Sequence, residues 1–303
     1  MDALGPNPSM RGGVLAVALV FMLIEFGVSR LARRDVHDLG ESAASLAVAV
    51  GQSLLRVLEA GALAVPFVFA YRHRLFDFDS HAIGALVALF LATEFVYYWH
   101  HRVSHRVRWF WATHAVHHSA RHLNFTAAIR LGWTGNLTGS FVFFLPLAWI
   151  GFDPRMIGAL LGLNLLYQFF VHTEFVPSLG PLEWVLNTPA QHRVHHASNA
   201  ACLDRNFGGV LSVFDHLFGT YAKAPADEPL RYGLAGREAT RDPLRIALGE
   251  WGALLADLRH AASWSTRLRL LAGPPESGHK SGEPVAAAAV VPHTDPVLAG
   301  GIR

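Results

Sequence analysis

The sequence predicts an all-α integral membrane protein, with four or five transmembrane helices and a histidine-rich helical cap on the cytoplasmic side. Three observations predict it. Of 303 residues, 52% are hydrophobic and only 16% charged, against about 25% charged in an average soluble domain. Long apolar runs recur between positions 13 and 171, most of them near the ~20 residues that cross about 30 Å of hydrocarbon. The 18 histidines concentrate around the later runs, in a His-x-x-x-His pair, His101/His105, and two His-x-x-His-His clusters, His114/His117/His118 and His192/His195/His196.

The first run, Gly13 to Val28, is followed by Arg30, Arg33 and Arg34, where a signal peptide would show small residues at a cleavage site; it reads as a retained anchor. The second, Leu46 to Ala70, carries Arg56 and Glu59, which can pair on one helical face. The third, Ala82 to Trp99, leads straight into the first histidine pair. The fourth and fifth, Leu131 to Phe152 and Met156 to Val171, are separated only by Asp153, Pro154 and Arg155 and predict a helical hairpin. With the arginines after the first run placed inside, the second and third spans return the chain to the cytoplasm near His100. Arg102, Arg106, Arg108, Arg121 and Arg130 favour the same side, and the hairpin delivers His172 and the second triplet there. A bacterial inner membrane or its equivalent is the expected setting.

From Tyr221 the pattern becomes soluble, with a helical period through Leu244, Leu248, Trp251, Leu254, Leu255 and Leu258. The stretch from Gly273 to Arg303 has little to pack and reads as a disordered tail. Four units result: a membrane anchor region over 1–80, a histidine-bearing core over 81–222, a cytoplasmic amphipathic helical segment over 223–272, and the tail over 273–303.

A formal charge of +2 without a basic face excludes nucleic acid as a partner. The single cysteine, Cys202, excludes an internal disulfide and the zinc-finger readings of the histidines. No glycine fingerprint for flavin or nicotinamide is present, so any reductant is external. Histidines at i, i+3 and i+4 share a helical face, and neutral imidazole suits Fe, Zn, Cu and Ni. The candidate ligands are His101, His105, His114, His117, His118, His172, His192, His195 and His196. That number exceeds one metal and implies two, whereas a zinc hydrolase spends three protein ligands and leaves one position open. A redox pair that activates O2 beside a lipid C–H bond accounts for both the ligand count and the membrane location. The competing reading is a membrane zinc-binding or metal-transport protein without redox activity, although transport calls for ionisable residues deep within several spans. Glu94, Glu174, Asp204 and Asp215 are the carboxylates expected to orient the rings by accepting their second N–H. Asn187 is expected to cap the helix that starts around Pro189.

The strings YYWHHRVSH (Tyr97 to His105), THAVHHSARHLNFTAAIR (Thr113 to Arg130), HTE (His172 to Glu174) and GPLEWVLNTPAQHRVHHASNAACLDRNFGGVLSVFDHLFGTY (Gly180 to Tyr221) together resemble the fatty acid hydroxylase/sterol desaturase superfamily. The last string is most similar to its alkylglycerol monooxygenase-like branch. Tyr232-Gly233-Leu234 and Asp242-Pro243-Leu244 extend the resemblance beyond the core. It implies two non-haem iron ions on the nine histidines, and O2-dependent hydroxylation or desaturation of a lipid or sterol C–H bond. Electrons would come from a separate electron-donor protein or reduced cofactor. His100, His122 and His216 fall outside the boxes and are left out of the metal site.

Overall fold

A computed structural model describes residues 8–79 and 82–275; most of the expected disordered tail lies outside the described residues. The helices in chain order are α1 (Pro8–Leu31), α2 (Leu39–Arg72), α3 (Ile83–Arg106), α4 (Arg108–His118), α5 (Phe125–Ala128), α6 (Leu145–Ile150), α7 (Pro154–Val171), α8 (Pro189–His196), α9 (Val213–Leu217), α10 (Pro243–His260) and α11 (Trp264–Ala272). Among the described residues there is no strand, only the isolated bridges Leu186–Leu211 and Ala197–Tyr232.

Among the described residues, three helices are long and apolar enough to cross a membrane: α1 over Gly12–Leu31, α3 and α7. The second apolar run lies within α2, which bends by 55° between Leu39–Val57 and Gly61–Arg72 and counts as a fourth span if both halves cross together. The bend falls just ahead of Pro66, which lacks the N–H for its i→i−4 bond and crowds the preceding turn.

The expected helical hairpin is corrected, because the run from Leu131 to Phe152 is no single helix. It passes through turns, a 3-10 segment over Ser140–Phe144 and the short α6. Gly139 sits at φ +85°, outside helical space, and a Cβ on Gly132 would lie 2.2 Å from the Thr113 carbonyl. The run nevertheless travels the length of the bundle. At one end the Arg130 carbonyl accepts from His117 Nδ1; at the other, the Trp149 and Ile150 carbonyls accept from the N–H groups of Leu75 and Phe76 beyond α2. Irregular backbone at membrane depth survives only when protein satisfies its polar groups. Here Trp109 donates to the Thr138 carbonyl, while the Trp133 indole reaches the Val48 carbonyl and Asn136 reaches Glu59.

Leu89, Phe144, Leu147, Ala148, Phe152 and Ile157 form an apolar core joining α3, α6 and α7. At the histidine end, α4 lies between α3 and α10. The arrangement refines the amphipathic stripe read from the sequence. Ile246, Ala247 and Leu254 are buried, while Leu244, Leu248 and Leu255 are exposed. Thus α10 is a backing helix for α4: Trp109 and Trp251 meet edge-on at 4.9 Å, and Arg108 pairs with Asp257 at 2.5 Å.

Candidate metal centre

Four segments bring imidazoles to the centre. His101 and His105 stand one turn apart near the end of α3, α4 carries the first triplet, His172 caps the end of α7, and α8 carries the second triplet. All nine rings converge, in two groups. His101, His105, His114, His118 and His195 form one, and His117, His172, His192 and His196 the other; within each group the ligand nitrogens lie within 4.8 Å of one another. Each triplet is divided between them. The i and i+4 members of the first (His114, His118) join the i+3 member of the second (His195), and His192 and His196 join His117. The groups are in contact, since the His118 and His196 rings stack at 4.4 Å.

The hydrogen bonding fits metal ions. Carbonyl oxygens of Phe207, Arg130, Gln168 and Arg205 accept from Nδ1 of His101, His117, His172 and His195, at 2.8, 3.3, 2.5 and 2.8 Å respectively. A carbonyl only accepts, so Nδ1 carries the proton in each of these rings and Nε2 presents a lone pair. The Nε2 atoms of His117 and His172 nevertheless face each other at 3.1 Å. Two lone pairs at that distance are not a hydrogen bond; a shared cation reconciles them. Further Nε2 pairs lie at 3.0–3.2 Å, His101–His114, His105–His114, His114–His118, His172–His192 and His192–His196. That is the spacing of neighbouring ligands about 2.1 Å from one ion at angles near ~90°. His195 Nε2 is buried without any hydrogen-bond partner, as a nitrogen reserved for a metal would be. Burial, reinforced by repulsion between neighbouring imidazoliums, holds His114, His117, His118, His192 and His196 well below the ordinary histidine range. Burial likewise lowers His172 and His195 to about 4. The rings outside the spans are therefore neutral near pH 7, the form that binds metal.

The orienting groups are mainly backbone carbonyls, where carboxylates were expected. Of the four candidate carboxylates, Asp204 comes nearest a ligand ring, 3.8 Å from His105 Nδ1, while pairing with Arg106 at 3.0 Å. Asp215 acts at one remove, accepting from the N–H groups of Phe207 and Gly208 at 2.7 Å and so fixing the peptide whose carbonyl holds His101. Glu94 accepts from Asn164 and from the N–H groups of Val210 and Leu211. Glu174 follows His172 closely, and its own carbonyl accepts from Arg34. The loop presenting the Arg205 and Phe207 carbonyls has Asp204 and Asn206 in the left-handed region, at φ 57° and 54°. Asx residues tolerate that region best, and the Asn206 side chain ties the turn to the Gln191 and Ala222 carbonyls.

Several supporting residues escape sequence reasoning. Glu25, buried within the apolar α1, accepts from the Phe125 N–H at 2.7 Å and the Thr173 hydroxyl at 2.6 Å, next to His172. An acid inside an apolar run was the available signal. Arg130, fully buried, reaches Ser45, Ser119 and the Glu41 carbonyl. Thr188, not Asn187, caps α8, through a reciprocal capping box with Gln191; Asn187 instead donates to the Gly208 and Gly209 carbonyls. The histidines left outside the boxes all lie outside both groups. His100 packs against Phe143 and Phe144, His122 bonds Glu41 at 2.7 Å, and His216 is sandwiched between Trp184 and Tyr221.

Comparison with known proteins points the same way. Residues 86–220 match the fatty acid hydroxylase family model, which encloses every histidine of both groups. Alkylglycerol monooxygenase from Xenopus tropicalis is 33% identical over 230 residues, 76% of this chain and 51% of that protein. The Danio rerio enzyme of the same name is 44% identical over 145 residues, 48% of this chain and 32% of that protein. An ornithine lipid hydroxylase from Rhizobium tropici is 28% identical over 204 residues, 64% of this chain and 58% of that protein. The chain thus spans about half, or less, of the length of the alkylglycerol monooxygenases it matches. No solved structure matches.

Proposed function

We propose, for a chain whose residues 86–220 belong to the fatty acid hydroxylase family, that it is a membrane di-iron monooxygenase that hydroxylates a C–H bond of a lipid. The observation that carries this reading is the convergence of nine histidines into two touching groups at one end of the spanning helices. His101, His105, His114, His118 and His195 would hold one iron, and His117, His172, His192 and His196 the other. When bound, the pair supplies binding and reductive activation of O2, with one oxygen atom entering the C–H bond and the other leaving as water at the expense of two electrons and two protons.

The rest is the chain's own work. The carbonyls of Arg130, Gln168, Arg205 and Phe207 hold four rings in the Nδ1–H tautomer, aiming Nε2 inward. Burial keeps the rings neutral, and the packed cap excludes bulk water, which shields reactive oxygen chemistry from side reactions. The relatives carry the names monooxygenase and hydroxylase, which favours oxygen insertion over desaturation. An external donor supplies the electrons, and the histidines face the cytoplasm, where the arginines that follow α1 and flank α4 would be retained.

The test is to purify the full chain in lipid nanodiscs, measure bound iron, and supply 18O2, a ferredoxin or reduced pterin, and a total lipid extract. About two irons per chain and a lipid gaining one 18O atom are the expected results. Zinc-only protein that consumes no O2 with any donor would overturn the reading.

A further inference from the structure

The metal ligands leave one part of the cap unexplained. Residues 180–185 and 208–218 flank α8 in sequence, meet through the Ser212 N–H bond to the Val185 carbonyl beside the Leu186–Leu211 bridge, and are built inside out for a water-facing loop. Their polar side chains point inward. Glu183 accepts from Ser178 and Thr188, Asp215 holds the turn at Phe207, and His216 lies stacked between Trp184 and Tyr221. Their apolar side chains point outward, with Leu182 at 55%, Trp184 at 67%, Val185 at 51% and Leu217 at 68% exposure.

Depth along α3 says what covers them. Phe95 lies about 18 Å from the start of α3, at 1.5 Å per residue, and its exposed ring meets those of Phe214 and Phe218 at 5.6 and 6.4 Å. Phe218 also packs on Trp99, and the first arginine of α3, Arg102, lies seven residues beyond Phe95, with its guanidinium over the Trp99 ring. So α9 sits beside the apolar part of a spanning helix, below the level of Arg102, and its outward face continues the exposed Leu91 and Phe95 of α3. Backbone at that depth must be paired internally. It is: the Glu94 carboxylate takes the Val210 and Leu211 N–H groups at 2.8 and 2.9 Å. Asn187 donates to the Gly208 and Gly209 carbonyls, and the Asn187 and Ser212 N–H groups bond the Val210 and Val185 carbonyls.

We propose that residues 180–185 and 208–218 form a re-entrant element inserted among the acyl chains of the bilayer, with Glu94 as its internal anchor. Lipid tails are its partner, and the second histidine triplet hangs from a part of the cap seated in hydrocarbon. The inference needs α3 to span the membrane and does not depend on which reaction the metals support.

The test uses the full chain in phosphatidylcholine vesicles. A nitroxide on Leu217→Cys is compared with one on the exposed Lys223→Cys; the natural Cys202 is buried and stays unlabelled. The ratio of collisions with O2 to collisions with a water-soluble nickel chelate should be several-fold higher at position 217 than at 223. Independently, phosphatidylcholine brominated on its acyl chains should quench wild-type tryptophan fluorescence more than that of Trp184→Phe, a variant that keeps an aromatic ring against His216. Nickel access at 217 equal to that at 223, shielding of 217 from both reagents by a protein partner, or quenching unchanged by Trp184→Phe would each overturn the proposal. If Leu217→Cys fails to fold, the quenching comparison decides.

Discussion

The two histidine triplets have the same spacing and opposite support. The first rides on α4, an 11-residue helix whose outer side is backed by α10 through the Arg108–Asp257 pair and the Trp109–Trp251 contact. The second rides on α8, eight residues long, which touches α7 and is held by a capping box, a left-handed turn and the irregular chain around it. A helix of two turns does not persist alone. The comparison teaches that a motif's spacing aims the rings, while quite different scaffolds can hold them. It also shows an exchange, since each triplet lends its i+3 member to the other's group, so neither helix can shift without disturbing both groups.

The largest effect should come from cutting that exchange. His117→Ala leaves three histidines in its group, and His195→Ala leaves four in the other. Metal analysis of the purified variants should find about one ion lost from His117→Ala and a smaller loss from His195→Ala, with lipid oxidation abolished in both. Equal losses would show that the two groups are not separate sites. Next is the backing of α4. Asp257→Ala strands Arg108, whose side chain is only 2% exposed, whereas Asp257 itself is 29% exposed. The expected loss of stability is about 2–3 kcal/mol, below the ~3–5 kcal/mol of a fully buried pair, read as a lowered unfolding midpoint in detergent. Smaller again is Thr188→Ala, which removes one half of the α8 capping box and should cost about 1 kcal/mol. Its signature is selective: metal loss should begin in the group holding His192 and His196, visible as biphasic release to a chelator.

The smallest effect is a pH dependence confined to the first triplet's side. His122 follows α4, and its bond to Glu41 raises it above its ordinary value of 6.5. A raised folded value means the proton is held more tightly in the native state, so this stabilisation is complete below about pH 6.5 and fades as pH rises through the higher folded value. His122→Gln should therefore lower the melting temperature at about pH 6 and match wild type at alkaline pH; a difference that grew with pH would refute the pairing.

The legibility of the molecule follows the range of the interaction. Three apolar helices, the histidine clusters and the soluble pattern after Tyr221 stand in local periodicity and composition. The run from Leu131 to Phe152 misled because hydropathy carries no information on backbone dihedrals, such as the φ of +85° that Gly139 adopts. The orienting carbonyls stay hidden in a sequence for a related reason. Asp, Glu and His announce themselves in a sequence, but the carbonyls of Arg130, Gln168, Arg205 and Phe207, which orient four of the rings, belong to the backbone that every residue carries.

By itself, then, the sequence determined the helical class, the membrane-crossing character and the clustering of the histidines, because each depends on side-chain type and on spacings of a few residues. Only the tertiary structure decided how nine rings divide into five and four, which carbonyls fix their tautomers, and that Glu94 braces a loop more than one hundred residues away. Those outcomes depend on distances between segments remote in the chain, set by packing and by the requirement that buried polar groups find partners.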